Sequence, residues 1–168
     1  FDVIHRALSD SYRPVTSGAY SLGERYDLTV EAFEDYLERL SPGGLLVVER
    51  WLQVPPSETL RAGAAVVEAL RRHGVEDAAD SLAVLRGWQV GLILAKRGQW
   101  TPGELETIRD FALAQDLDLV ALPGLSEAEA NQRNILEAPL FYRAFQQLLD
   151  QPELLYADYA YDVRPATD

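Results

Sequence analysis

A nearly continuous apolar segment, Leu45–Trp51, constrains the fold of this chain more than any other feature. It follows the turn sequence Ser41-Pro42-Gly43-Gly44 and ends shortly before Pro55-Pro56. A strand that is apolar on both faces is typical of a parallel sheet with helices on both sides, because each face must be shielded from water. The segment therefore predicts an inner strand of an α/β sheet.

The segments around it alternate between strand and helix patterns. Further strands are predicted over residues 1–6, 82–86, 88–96 and 118–122, and helices over residues 29–40 and 139–149, after Ser57, from Thr101 and after Ser126. In the first helix, Val30, Phe33, Leu37 and Leu40 recur at helical spacing. The short connection around Gly87 predicts an antiparallel hairpin. This order predicts a three-layer, Rossmann-like α/β sheet, parallel with an antiparallel C-terminal hairpin.

Composition narrows the class of function. The 168 residues, 48% of them hydrophobic, are expected to form a single domain over residues 1–168. With 27 acidic residues against 15 Lys and Arg, the net charge is −12, which repels nucleic-acid phosphates, so we expect no nucleic-acid partner. No apolar run approaches the roughly 18 residues of a membrane span. Because Cys is absent and His5 and His73 lack the spacing of metal ligands, no metal site is predicted.

Candidate binding residues follow the first two predicted strands. Ligands of open parallel sheets bind beyond the carboxyl ends of the strands, where the loops converge. The first loop, over residues 7–23, offers Asp10, Arg13 and Tyr20, and the second strand ends at Trp51, whose indole offers a stacking surface. The alternatives are a plain surface loop and core packing of the tryptophan. No catalytic motif is present, so no catalytic residue is assigned.

The other tryptophans and the C-terminal tyrosines receive separate predictions. Trp88 and Trp100 flank the predicted hairpin and are expected to be structural. Tyr156, Tyr159 and Tyr161 are expected to form a contact surface.

The chain opens on a strand pattern, Phe1-Asp2-Val3-Ile4, without a starting Met or a polar lead-in. This predicts the C-terminal part of a longer protein. We expect the opening strand to lie in the middle of the sheet. Its following loop would then border a cleft whose opposite wall is formed by upstream residues.

Several motifs resemble one family. Phe1-Asp2-Val3-Ile4 followed by Ser9-Asp10, and Pro42-Gly43-Gly44 before an apolar strand, resemble the second half of spermidine synthase-like proteins. These proteins share the Rossmann-type fold of S-adenosylmethionine-dependent methyltransferases. The segment over residues 87–94 resembles the last strand pair of that family. The ending from Tyr161 onward resembles a bacterial branch in which such a domain is often attached to membrane helices.

The resemblance implies a transferase that uses S-adenosylmethionine or its decarboxylated form and a small-molecule acceptor, such as an amine. It implies that the residues holding the adenosyl group precede Phe1, so this fragment alone should bind no cofactor and be inactive. Asp10, Arg13, Tyr20 and Trp51 would border the acceptor pocket. The domain is expected in the cytoplasm, on a membrane-attached parent, and homo-oligomerisation is left open.

At one position the chain departs from the family, and this departure leads to two functional hypotheses. The amine-deprotonating aspartate of the synthases is matched here by Ala7, which cannot accept a proton, while Asp10 matches a second acid. One hypothesis is a transferase with a changed acceptor, or with methyl instead of aminopropyl transfer. The alternative is a non-catalytic Rossmann-like module that serves subunit contact or senses a cationic metabolite.

Overall fold

A computed structural model describes residues 1–8 and 26–168 of the chain. Strands and helices alternate along most of the described sequence. The strands are β1 (Val3–Arg6), β2 (Leu45–Trp51), β3 (Leu82–Arg86), β4 (Val90–Lys96) and β5 (Asp118–Ala121). The helices are α1 (Val30–Arg39), α2 (Glu58–Arg72), α3 (Pro102–Ala114), α4 (Leu140–Asp150) and α5 (Pro152–Asp158), with short 3₁₀ turns at Tyr26–Leu28, Ala78–Ser81 and Glu127–Glu129. The protein is therefore an α/β protein.

The strands form one mixed sheet in the order β1-β2-β4-β3-β5. β1 and β2 are parallel, β4 is antiparallel to both β2 and β3, and β5 is antiparallel to β3. Trp51 lies opposite Val90, and Arg86 lies opposite Gly91. The carboxyl ends of β1, β2 and β3 consequently lie at the same edge of the sheet, which we call the carboxyl edge.

The structure confirms the predicted α/β class and the antiparallel hairpin and corrects two other predictions. Among the described strands, β1 and β2 are the one parallel neighbouring pair, because the short turn over residues 87–89 reverses the chain and β4 lies beside β2. The expectation that the opening strand lies mid-sheet is wrong for the described sheet. β1 pairs with β2 on one side and forms an outer strand.

Helices cover the sheet on both faces, which gives the three layers that the sequence predicted. On one face, α1, α2 and α4 bury a large apolar cluster whose fully buried members include Phe33, Leu37, Leu60, Phe145 and Leu148. On the other face, α3 packs Ile108 and Ala112 against Ala83 and Leu85 of β3. Of the helices in the described residues, none combines the length and the apolar character that crossing a membrane requires.

Two helix-start motifs in the sequence have different outcomes. Thr101 and Glu104 form a capping box at the start of α3, where the Thr101 N–H donates to the Glu104 carboxylate at 2.7 Å. Ser126 and Glu129 form the same box, but only a 3₁₀ turn follows. The chain turns away at once because Asn131 adopts a positive φ of 56° and enters a loop that folds around a buried carboxylate.

Candidate functional site

A histidine and a glutamate form a hydrogen-bonded pair near the carboxyl edge. Glu49 alternates along β2 with Val48 and Arg50, which are buried beneath the helices, so Glu49 lies on the opposite face. His5 of β1 lies on that same face, with its Nε2 atom 2.9 Å from Glu49 Oε1. The other Glu49 oxygen accepts a hydrogen bond from the Leu8 backbone N–H at 3.3 Å. We call His5 and Glu49 the dyad.

The dyad lies on a part of the sheet that is open in the described structure. The side chain of His5 is 47% exposed and that of Glu49 is 26% exposed, and Val3 beside them is also exposed. Within residues 1–8 and 26–168, α3 is the helix that covers this face, and it packs over β3 and its neighbours. Trp51, two residues after Glu49, is half-buried on the same face. We call the surface of Val3, His5, Glu49 and Trp51 the open face.

A second tryptophan belongs to the same edge of the sheet. Trp88 is 72% exposed and lies in the turn between β3 and β4. The backbone of Gln89 in that turn accepts a hydrogen bond from the Leu52 N–H at 2.8 Å, so the turn stays paired with the residue that follows Trp51. The half-buried Trp51 at the end of β2 and the exposed Trp88 just before β4 therefore lie on adjacent chain segments.

On the face of the sheet that α1, α2 and α4 cover, charged side chains form ion pairs at the carboxyl edge. Arg6, at the end of β1, binds the carboxylate of Asp27 in the turn before α1. Arg50, near the end of β2, contacts Glu58 Oε2 at the start of α2 at a distance of 3.1 Å, and its own side chain is only 6% exposed. These pairs place the N-termini of α1 and α2 at the carboxyl edge. They also give each guanidinium group a carboxylate as its counter-charge.

The C-terminal residues 159–168 cross the same region, and we call them the strap. The Tyr159 hydroxyl donates to the Pro56 carbonyl at 2.7 Å, and burial raises the pKa of Tyr159 to about 12, which keeps the donor protonated. Val163 is buried in the core. Farther along, the Val30 N–H donates to the Ala166 carbonyl at 2.8 Å. The strap therefore joins the segment that follows β2 to the first turn of α1.

A buried ion pair organises the other side of the carboxyl edge, where β3 ends. Asp118 is fully buried at the start of β5, and its Oδ2 atom lies 3.1 Å from the Arg86 guanidinium. Backbone N–H groups of residues 132–134 donate to the same carboxylate at 2.5 to 2.8 Å. Arg86 also donates to the Asn131 side chain and lies over the Phe141 ring. Both charges are thus fully engaged in holding this loop, which indicates a structural role.

A cleft of about 460 Å³ lies at the opposite edge of the sheet, between the residues that precede β3 and those that follow β4. Two of its acidic side chains, those of Asp77 and Asp80, have structural partners. Asp77 caps the 3₁₀ turn by accepting from the Ala79 N–H, and Asp80 accepts from the Gln99 amide at 2.8 Å. These two contacts therefore serve local folding.

The structure locates one of the four predicted site residues. Trp51 lies at the end of β2 on the carboxyl edge, as the sequence predicted. Asp10, Arg13 and Tyr20 lie outside the described residues, and their proximity to Trp51 stays a prediction. Sequence reasoning missed Glu49. The available signal was the charged pair Glu49 and Arg50 at the ligand-binding end of an otherwise apolar strand, since an uncompensated buried charge is costly.

The aromatic predictions have mixed outcomes. Trp100 packs into the α3-side cluster and lies under the Lys96 ammonium group at 5.2 Å, which confirms its structural role. Trp88 is 72% exposed and therefore contributes little to core packing, unlike Trp100. Tyr156 and Tyr159 pack against the chain's own core, whereas Tyr161 is 46% exposed. Most of the predicted tyrosine contact surface is therefore internal.

Metal-binding geometry and likeness to known proteins are two further indicators of function. Across residues 1–8 and 26–168, no group of three or more His, Asp or Glu side chains is arranged to hold a metal ion. The chain matches no protein-family model, no curated protein and no solved structure. The geometry of the carboxyl edge is therefore the main indication of function.

Proposed function

We propose that this chain is the acceptor-side part of a spermidine synthase-like or methyltransferase-like transferase that uses S-adenosylmethionine or its decarboxylated form. One observation carries the proposal: three strands end at the carboxyl edge, where α1 and α2 begin and where Trp51 and the dyad lie. Small molecules bind at this edge of α/β sheets because loops and helix N-termini converge there. By the family resemblance, the domain is cytoplasmic and its parent is membrane-attached.

The chemistry of the edge favours a cationic acceptor such as an amine. The Glu49 carboxylate attracts an ammonium group, and the indoles of Trp51 and Trp88 offer faces for cation–π contact. The net charge of −12 also concentrates cations around the protein. In the proposed reaction, a neutral acceptor nitrogen attacks the sulfonium-bound carbon of the donor, and the carbon–sulfur bond breaks with its electron pair left on sulfur. Such a transfer is accelerated mainly by positioning.

Calorimetric titration of the full-length parent tests the proposal. We expect S-adenosylmethionine or its decarboxylated form to bind saturably and to raise the melting temperature, because a ligand that binds the native state stabilises it. Residues 1–168 alone should bind neither donor. If the full-length protein shows neither heat nor a thermal shift with either donor, the transferase proposal fails.

A substitution at the edge tests the acceptor side separately. Trp51→Leu keeps an apolar side chain at the end of β2 but removes the indole face. We expect it to raise the KM for a linear aliphatic diamine several-fold, by about 1 kcal/mol, and to leave donor affinity unchanged. Phe111→Leu on the outer surface of α3 is the matched control, since Phe111 is 48% exposed and belongs to the helix that packs over β3. An unchanged KM in Trp51→Leu would remove this residue from the acceptor site.

The internal pairing of charges favours a second candidate, the non-catalytic module. Arg6, Arg50 and His5 each have a carboxylate partner within the chain, and Ala7 offers no proton acceptor. A scaffold that binds without catalysing would have this arrangement. Incubating the full-length protein with both donors and a linear diamine separates the candidates. Binding of the diamine without any transferred group would favour the module.

A further inference from the structure

Building on the proposed function, we propose that His5 is the general base that removes the proton from the acceptor, and that Glu49 positions its imidazole. The structure brings these residues together although 44 positions separate them. An imidazole held by a carboxylate is an effective proton acceptor because the second group fixes the orientation of the ring.

The geometry of Glu49 suits a positioning role. One of its oxygens lies 2.9 Å from His5 Nε2, and the other accepts from the Leu8 N–H at 3.3 Å. Both oxygens of the carboxylate are therefore held, one by a side chain of β1 and the other by the backbone of the segment that follows β1. A ring bound to so constrained a carboxylate presents its other nitrogen in a restricted direction.

Access and location also fit. The His5 side chain is 47% exposed on the open face. His5 precedes Ala7 by two residues, about 7 Å along an extended chain. His5 would therefore lie farther from the carboxyl edge than Ala7, the position that matches the family's aspartate. To reach His5, the acceptor would extend along the open face past Trp51.

The other titratable groups described near this edge are less suited to accept a proton. Asp27 and Glu58 are already bound to Arg6 and Arg50. The second histidine, His73, ends α2 and bonds to the Glu34 carbonyl. The dyad combines an imidazole with a carboxylate that holds it in place.

With the proposed donor, the step balances in protons and electrons. His5 takes one proton from the acceptor ammonium group and becomes imidazolium, which Glu49 stabilises. The freed nitrogen lone pair forms the new bond to the sulfonium-bound carbon, and sulfur leaves as a neutral thioether. The imidazolium then returns its proton to solvent.

The test uses the full-length parent with S-adenosylmethionine and its decarboxylated form as donors and the linear diamine putrescine as the acceptor probe. We expect His5→Gln to lower kcat by about 10²- to 10⁴-fold with donor affinity unchanged. Added imidazole should restore part of the rate in His5→Gln. A purely structural defect would not respond to imidazole. His73→Gln is the matched control and should keep the wild-type kcat.

Glu49 is tested by a pair of variants. Glu49→Gln should lower kcat about tenfold without changing the donor affinity, and Glu49→Asp should recover part of the loss because it keeps the charge. Wild-type turnover in both His5→Gln and Glu49→Gln would overturn the dyad and leave the transferase standing. Donor binding without turnover by the wild-type protein would also overturn the dyad. Absence of donor binding would reject the transferase itself.

Discussion

The hydroxyl of Tyr159 donates a 2.7 Å hydrogen bond to the backbone carbonyl of Pro56, which lies 103 positions earlier in the chain. The bond anchors the strap to the segment between β2 and α2. The far end of the strap accepts a hydrogen bond from Val30 at the start of α1. Because α1 and α2 both begin at the carboxyl edge, the strap connects the two segments that border the candidate site.

Removing the Tyr159 hydroxyl should loosen this connection. We expect Tyr159→Phe to lower the free energy of unfolding by about 1 kcal/mol, because the ring still packs while the buried Pro56 carbonyl loses its donor. Urea unfolding measures the change, and hydrogen exchange should increase at residues 57–59. Tyr161→Phe is the control, since Tyr161 is 46% exposed. Equal effects of both substitutions would contradict a specific role for the bond.

Breaking the buried ion pair of Arg86 and Asp118 should lower the free energy of unfolding more than breaking any other polar contact in the described structure. Asp118→Asn leaves the guanidinium without its counter-charge and turns an amide toward backbone donors of residues 132–134. We expect a loss of about 3–5 kcal/mol in unfolding free energy.

The control for that prediction is Asp116→Asn. Asp116 is 85% exposed, and Asn tolerates its positive φ of 52°. Its pair with Arg133 should contribute less than about 0.5 kcal/mol. Chemical denaturation of both variants compares them directly, and comparable losses would show that burial does not govern the contribution.

The pair of Lys96 and Glu104 should make stability depend on pH in the acid range. The Glu104 carboxylate accepts from Lys96 at 2.7 Å and from the Thr101 backbone, which lowers the pKa of Glu104 to about 2 from an ordinary value of 4.5. A lowered folded-state pKa stabilises the protein above pH 4.5, and this contribution is lost as the pH falls toward 2.

Glu104→Gln measures that contribution, because glutamine retains an oxygen for the capping box and removes the charge. We expect the variant to be about 1 kcal/mol less stable than the wild type at neutral pH. The difference should shrink below pH 4.5 and disappear as the pH falls through about 2. Thermal unfolding across this range tests it, and a difference that stays constant with pH would rule out the charge as its source.

Gly63 permits the close approach of α2 and α4. A Cβ atom at this position would lie 2.6 Å from Cε1 of the fully buried Phe145 ring. We expect Gly63→Ala to destabilise the protein by about 1–3 kcal/mol, because overpacking outweighs the better helix propensity of alanine. Gly103→Ala in α3 has no atom within 4 Å of the new Cβ and should stabilise the protein slightly. An unchanged free energy of unfolding in Gly63→Ala would show that the Phe145 ring moves aside without a loss of stability.

Much of the local structure was predictable from short sequence patterns. The apolar spacing of Val30, Phe33 and Leu37 predicted α1, and all three side chains are buried. The capping box of Thr101 and the turn around Gly87 likewise predicted α3 and the hairpin. Such signals depend on contacts within a few residues, so they operate before any tertiary structure forms.

The box at Ser126 marks the limit of such signals. Its side-chain bonds form as expected, yet only a 3₁₀ turn follows, because the next residues donate to the buried Asp118 carboxylate. A tertiary contact thus overrides a local preference for helix.

By itself, the sequence determined the alternation of strands and helices, the apolar inner strand, the acidic surface and the position of Trp51 at the end of β2. Only the tertiary structure decided that β4 lies beside β2, that β1 is an outer strand, and that His5 meets Glu49. The reason is physical: periodicity and caps act between neighbours in the chain. Strand order and side-chain pairs across 44 or 103 residues depend instead on how the sheet and its helices pack.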